Sequence, residues 1–270
     1  MTKFSKNLYI VGALMIIIGG FFILSRKSAE APVEKNIPVV SDNQENKNTV
    51  EKDTAPAPAS TRGDASSTRG GENILPEKNI PDKIIISVPF ATQAPLANWD
   101  ALHEEACEEA SLIMLKYYLD DKRLTPSIAE EVIQRMVEFE IKNYGDYKDS
   151  TAEQIVKLAE DFYGIQNLKV IYDFPKEDLK KYLAEGNPMI VPAAGRELGN
   201  PNFTAPGPLY HNLVLIGYDK NTIITNDPGT RKGRGYTYDI DVLYNAIHDF
   251  PGKPEDITQG RKAMIVLENQ

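Results

Sequence analysis

From Ser28 to Asn79 the chain contains no Phe, Tyr or Trp. The stretch is rich in Pro, Ala, Ser, Thr, Asn and Glu, with Ala55-Pro56-Ala57-Pro58 in its middle. Such a segment buries too little apolar surface to offset the entropy of ordering it, so it reads as a flexible tether. Any packed domain must therefore be built from about Ile84 onward, where Val, Ile, Leu, Phe and Tyr recur to the end. Residues 84–270 are enough for one domain with a sizeable core. Ahead of the tether, Leu8 to Leu24 is a 17-residue apolar run without a charge, at the short end of what spans a bilayer. Lys3 and Lys6 before it balance Arg26 and Lys27 after it, and the short N-terminal tail with its free amine favours tail-inside. The expected organisation is a cytoplasmic tail at 1–7, a transmembrane anchor at 8–24, a disordered linker at 25–83 and a domain at 84–270. That places the chain in the cell membrane as a single-pass protein with an extracytoplasmic domain. A cleaved signal peptide is the rival reading of the same run.

Charge narrows the partners. From Ile84 on, 19 lysines and arginines face 29 aspartates and glutamates, a net charge of −10. No basic stripe is available for phosphates, which argues against nucleic acid. No Cys/His cluster or His pair has metal-ligand spacing, and no Gly-rich loop has the spacing of a phosphate cradle, so neither a metal nor a cofactor is expected. Gly229-Thr230-Arg231-Lys232-Gly233-Arg234-Gly235 reads as a mobile basic loop.

The domain reads as helices first and strands later. Ile84 to Val88 is a short strand. Glu104 to Tyr118 has apolar residues at helical spacing. Thr125-Pro126 opens a helix running through Val137. Ser150 or Thr151 caps another that closes at Gly164, and Lys176 to Ala184 is a short fourth. Leu168–Tyr172, Pro188–Ala193, His211–Tyr218, Thr222–Asn226 and Ala263–Leu267 read as strands, and Ile240–Ile247 as a further helix. Helices clustered before antiparallel strands indicate an α+β domain. The turn Tyr218-Asp219-Lys220-Asn221-Thr222 should pair the strand of His211 with the strand leading to Asp227.

Cys107 is the chain's single cysteine, so no internal disulfide explains it. A free cysteine is often only a small buried hydrophobe. As a nucleophile it needs conditions that favour thiolate, such as a helix N-terminus and an adjacent imidazole. The imidazole needs a third group to fix its tautomer, and a tetrahedral intermediate needs donors for its oxyanion. Cys107, His211, Asp227 and Gln93 are residues of the right types. Each has a plainer reading: His211 packed in a strand, Asp227 a turn former with Asn226 as spare orienter, Gln93 a loop hydrogen-bonder. His103 and His248 read as solvated. Glu104, Glu105, Glu108 and Glu109 surround the thiol, and nearby carboxylates oppose its ionisation unless they point away. If Asp100 caps a helix beginning at Ala101, Cys107 lies nearly two turns in and loses the help of the helix dipole.

Val88-Pro89-Phe90-x-x-Gln93, then Trp99, then Ala106-Cys107-x-x-Ala110-Ser111-Leu112-x-Met114 resembles the peptidase C39-like family of papain-fold proteins. His211-Asn212-Leu213-Val214-Leu215-Ile216-Gly217-Tyr218-Asp219 and Ile223-Ile224-Thr225-Asn226-Asp227-Pro228 are similar to that family's histidine and acid strands. The resemblance covers about Ile84 to Leu267. It implies a papain-like fold, with an N-terminal helical part on a C-terminal antiparallel sheet. It also implies a Cys-His-Asp triad: Cys107 as nucleophile, His211 as general base then acid, Asp227 as orienter, and Gln93 as oxyanion donor. Trp99 reads as a core or groove-wall anchor, Glu108 and Tyr210 as possible groove residues, and the long Pro- and Gly-containing loop Gly195 to Leu209 leading into His211 as a candidate substrate gate. The activity implied is hydrolysis of peptide-like amide bonds in a peptide or protein substrate, through an acyl-enzyme. Acyl transfer to an amine, or a non-catalytic peptide-binding groove, are the alternatives. Many relatives have glycine directly after the nucleophile, where this chain has Glu108.

Overall fold

The computed structural model describes residues 80–268. The expected cytoplasmic tail and anchor, and almost all of the linker, lie outside the described residues. Among the described residues no helix is long and apolar enough to cross a membrane.

Seven strands form one antiparallel sheet: β1 Lys83–Ile85, β2 Leu168–Tyr172, β3 Met189–Ala194, β4 Tyr210–Asp219, β5 Thr222–Asn226, β6 Arg234–Asp239 and β7 Ala263–Leu267. Their order is β2-β7-β3-β4-β5-β6, with β1 also paired to β4. β3 runs against β4 with Ala193 opposite His211, and β1 joins the far end of β4 with Lys83 opposite Asp219. The β4–β5 hairpin closes at Asp219 and Thr222, as its turn residues require, and the register shifts between Leu215 and Gly217. β3 and β7 are buried at every residue.

The helices are α1 Cys107–Leu119, α2 Pro126–Asn143, α3 Ala152–Tyr163, α4 Glu177–Ala184 and α5 Ile240–Ala246. Local chemistry sets their ends. Thr125 Oγ1 accepts the Ile128 N–H and Pro126 takes the first turn of α2. Thr151 and Gln154 form a reciprocal capping box on α3, and Gly164 ends it at φ 70°. Both α1 and α4 pack on β4, and nearly all of β4 is buried. The core runs from Leu112, Ile113 and Leu115 of α1 through Ile133 and Ile155 to Val191, Leu213 and Ile265 of the sheet.

Two expectations change here. Arg234–Asp239 is a strand on the sheet edge, so the basic loop ends at Gly233, two residues earlier than read. α1 begins at Cys107 itself, not at Glu104 or Ala101. Asp100 Oδ1 accepts the N–H groups of Leu102 and His103 instead, and so caps a separate short 3₁₀ turn at His103–Glu105.

Candidate active site

The first turn of α1 carries the thiol. Cys107 is the first helical residue, where the backbone N–H groups have no partner within the helix and the dipole favours an anion. β4 carries His211 and the end of β5 delivers Asp227. Because β4 and β5 form one hairpin, two residues sixteen positions apart fold back so that their side chains meet. His211 Nε2 lies 2.8 Å from Asp227 Oδ1. With Nε2 protonated toward the carboxylate, Nδ1 is the nitrogen left with a lone pair.

Asp227 is held by more than the histidine. Its Oδ2 accepts the Tyr238 hydroxyl at 2.5 Å and the Asn200 amide at 3.1 Å, and Oδ1 also accepts the Gly229 N–H at 3.0 Å. Burial opposes its charge, but the His211 charge and the bonds from His211, Tyr238 and Gly229 outweigh that, and hold the carboxyl below its ordinary value. Burial, with the Asp227 charge beside it, pushes the Tyr238 hydroxyl far up, so it stays a donor. Two glycines permit the approach. A Cβ on Gly233 would sit 1.8 Å from the Asp227 carbonyl oxygen, and one on Gly229 would sit 2.8 Å from His211 Cε1. Phe203 closes the other side, edge-on to the imidazole at 5.3 Å between ring centres.

Cys107, His211, Gln93, Trp99, Tyr210 and Gly229 line one cavity of about 520 Å³. A second cavity of about 400 Å³ shares Trp99, Thr204 and Gly229 with it and is bordered by Arg231 and Lys232. Trp99 is 40% exposed and lines both cavities, a wall of the groove. The Gly195–Leu209 loop contributes Arg196, Phe203 and Pro206 to Leu209 to the first cavity.

Sulfur and imidazole face the same space without a hydrogen bond between them among the described residues. Cys107 Sγ donates instead to Glu108 Oε2 at 2.9 Å. Burial, then the charge and hydrogen bond of Glu108, push the thiol well up; the Asn212 backbone N–H works the other way. Glu108 does not point away from the thiol. Its own carboxyl is raised to about 8, by burial and by the Glu109 charge. Gln93 is buried and lines the same cavity as the thiol, with Nε2 donating to the carbonyls of His103 at 2.8 Å and Glu104 at 3.0 Å. Its Oε1 has no protein partner. Tyr210 lies buried under the groove, its hydroxyl donating to the Ser150 carbonyl at 2.6 Å.

Asn226 is not a spare orienter, because Nδ2 donates to the Val88 carbonyl and Oδ1 accepts the Gly235 N–H. His103 is not solvated. It is 2% exposed, with Nδ1 at 2.7 Å from Asp100 and Nε2 at 3.1 Å from Glu130. His248 is half-buried, with Nδ1 donating to the Gly260 carbonyl. Tyr238 and Asn200 escaped the sequence reading. The alternation Tyr236-Thr237-Tyr238 was the available sign of a strand beside β5. Among the described residues no group of His, Cys, Asp and Glu is arranged to hold a metal ion.

None of the curated proteins matches this chain. Solved structures similar to it include a protein described as a C39-like peptidase from Bacillus anthracis, 18% identical, covering 70% of this chain and 98% of that one, with a TM-score of 0.45. The peptidase domain of Streptococcus ComA, a bifunctional ABC transporter, is 13% identical over 67% of this chain and 99% of that one, with a TM-score of 0.36. A fragment of Prevotella intermedia prointerpain A is 14% identical over 71% of this chain and 74% of that one, at 0.42. The model of the Peptidase C39 like family matches residues 85–250. The chain belongs to that family.

Proposed function

We propose that this domain is a cysteine peptidase or amidohydrolase acting on peptide-like amide bonds. The observation that carries it is the buried His211 Nε2–Asp227 Oδ1 pair facing the same cavity as a thiol on the first residue of a helix. Cys107 attacks the carbonyl carbon. His211 accepts the thiol proton at Nδ1 and later returns a proton to the leaving amine. A water activated by the same imidazole then opens the acyl-enzyme. Asp227 keeps the imidazole in its working tautomer. The Cys107 N–H is the first oxyanion donor, and Gln93 becomes the second by exchanging one of its two carbonyl partners for the oxyanion. The apolar run at Leu8–Leu24 supports a membrane-anchored, extracytoplasmic placement for this activity, and protease shaving of intact cells tests it by releasing the domain.

Cys107→Ala, assayed on a fluorogenic peptide library, should abolish turnover with the melting temperature nearly unchanged; His211→Ala should abolish it too, with a lower melting temperature because the buried Asp227 loses its ring partner. Turnover that survives Cys107→Ala overturns the assignment. An added amine that captures the acyl group in place of water would make the protein a transamidase with the same residues in the same roles. A second reading, a non-catalytic peptide groove, draws on the Cys107–Glu108 bond. Peptide binding without turnover, and without an acyl adduct on Cys107, would establish it.

A further inference from the structure

The residue after the nucleophile is engaged with it. Glu108 Oε2 accepts the Cys107 thiol at 2.9 Å and Oε1 accepts the Ser150 backbone N–H at 3.1 Å. Glu108 is 2% exposed and Cys107 6%. One oxygen on a loop amide and the other on the sulfur fix the carboxyl at both ends. The titratable groups around it are Glu109 on α1, Glu140 on α2 and Tyr210 on β4. Among the described residues no lysine, arginine or histidine forms an ion pair with it. His211, meanwhile, is joined to Asp227 through Nε2 and makes no bond to the sulfur.

We propose that Glu108 is a latch on the nucleophile: it holds the Cys107 thiol protonated and turned from His211 at rest, and the site is armed when the sulfur leaves it. Arming breaks the S–H bond and forms an N–H bond at His211 Nδ1, giving thiolate and imidazolium. Glu108 neither gains nor loses a proton in that step and stays on the Ser150 N–H. The physical reason is electrostatic. Where Glu108 is ionised, above about pH 8, a thiolate about 3 Å from it is strongly disfavoured, whereas one beside an imidazolium at a helix N-terminus is favoured. The sulfur's two positions thus correspond to two protonation states. In this arrangement Glu108 suppresses stray alkylation and oxidation of an otherwise reactive thiol.

The proposal rests on Cys107 being the nucleophile, and its test needs no substrate. Iodoacetamide alkylation of the full-length protein is followed against pH for the wild type and Glu108→Gln. The amide keeps an acceptor for Ser150 and removes the charge. The alkylation midpoint should fall by about one unit, roughly tenfold faster reaction at about pH 9, where Glu108 of the wild type is ionised. A midpoint that stays or rises overturns the latch, because a purely structural Glu108 would leave the profile where it was. Should Glu108→Gln fold poorly, the wild type alone decides. With a single cysteine in the chain, the Raman S–H stretch belongs to Cys107 and should lie below the position of a free thiol. A band at the free-thiol position, or no S–H band at neutral pH, sinks the proposal. Turnover with an unshifted band defeats the latch alone. A shifted band and profile without turnover defeats the peptidase reading alone.

Discussion

His211 and Asp227 are bound to each other within the buried sheet, Nε2 to Oδ1 at 2.8 Å, with His211 1% exposed and Asp227 0%. A neutral amide at 227 would present either a donor or a weaker acceptor to Nε2, and would no longer fix which ring nitrogen carries the proton. Asp227→Asn should therefore lower kcat by about a thousandfold or more with a small change in KM. Steady-state kinetics on one peptide read both numbers. Tyr238→Phe should cost less. It removes one charge-assisted bond to the same carboxylate, so the carboxyl titrates higher and the acid limb of the kcat profile moves to higher pH.

The cleft tolerates no side chain where Gly229 passes the imidazole. The added carbon of Gly229→Ala would lie 2.8 Å from His211 Cε1 and 2.9 Å from Phe203 Cε1. The ring has to shift, and a displacement near 1 Å costs about a hundredfold in rate. We expect kcat to fall by that order while the protein still folds, as measured by kinetics beside thermal melting.

Stability should decline toward alkaline pH. Burial first, and neighbouring carboxyls second, raise Glu108 and Glu140 from 4.5 to about 8, and push Glu109 up as well. The folded chain then holds more protons than the unfolded chain between pH 4.5 and about 8, so stability falls as pH rises through that window. Asp227 acts in the opposite sense, but only around and below its ordinary value of 3.8. Calorimetry should show a melting temperature lower by several degrees at pH 8.5 than at pH 5.5. Glu140→Gln should flatten the decline. A melting temperature that rises across the window would contradict it.

Trp99 is the chain's one tryptophan, and it borders both cavities. Adding peptide to Cys107→Ala should change the emission of this single fluorophore in a saturable way, and Trp99→Phe should raise KM. Saturable binding with unchanged emission would place the peptide elsewhere.

What could be read from the sequence was local chemistry. Thr125-Pro126, Ser150 or Thr151, and Gly164 mark helix ends because such residues satisfy or end a helix's backbone groups locally; the Gln154 half of the α3 capping box came only with the structure. The β4–β5 hairpin, and with it the His211–Asp227 pair, followed from the turn at Lys220-Asn221. The start of α1 was harder, since Asp100 is a good cap and the chain supplied it with a shorter turn to close. β6 gave little signal because it lies at the sheet edge, with Tyr238 its single buried residue. Long-range partners left no trace in spacing: Glu130 on His103, Asn200 on Asp227 and Ser150 on Glu108 all meet across folded elements.

β7 sits between β2 and β3, although it comes last in chain order among the described strands. Its residues, 263–267, leave the ribosome after both the thiol and the imidazole. Until they arrive, β3 has an open edge where Ile190 should meet Ile265, and β3 is the strand that supports His211 through Ala193. The nascent chain thus carries its reactive sulfur for more than a hundred and fifty residues of synthesis before the sheet behind the histidine closes. Synthesis of β7 is in this sense the first condition for chemistry at Cys107, ahead of any substrate.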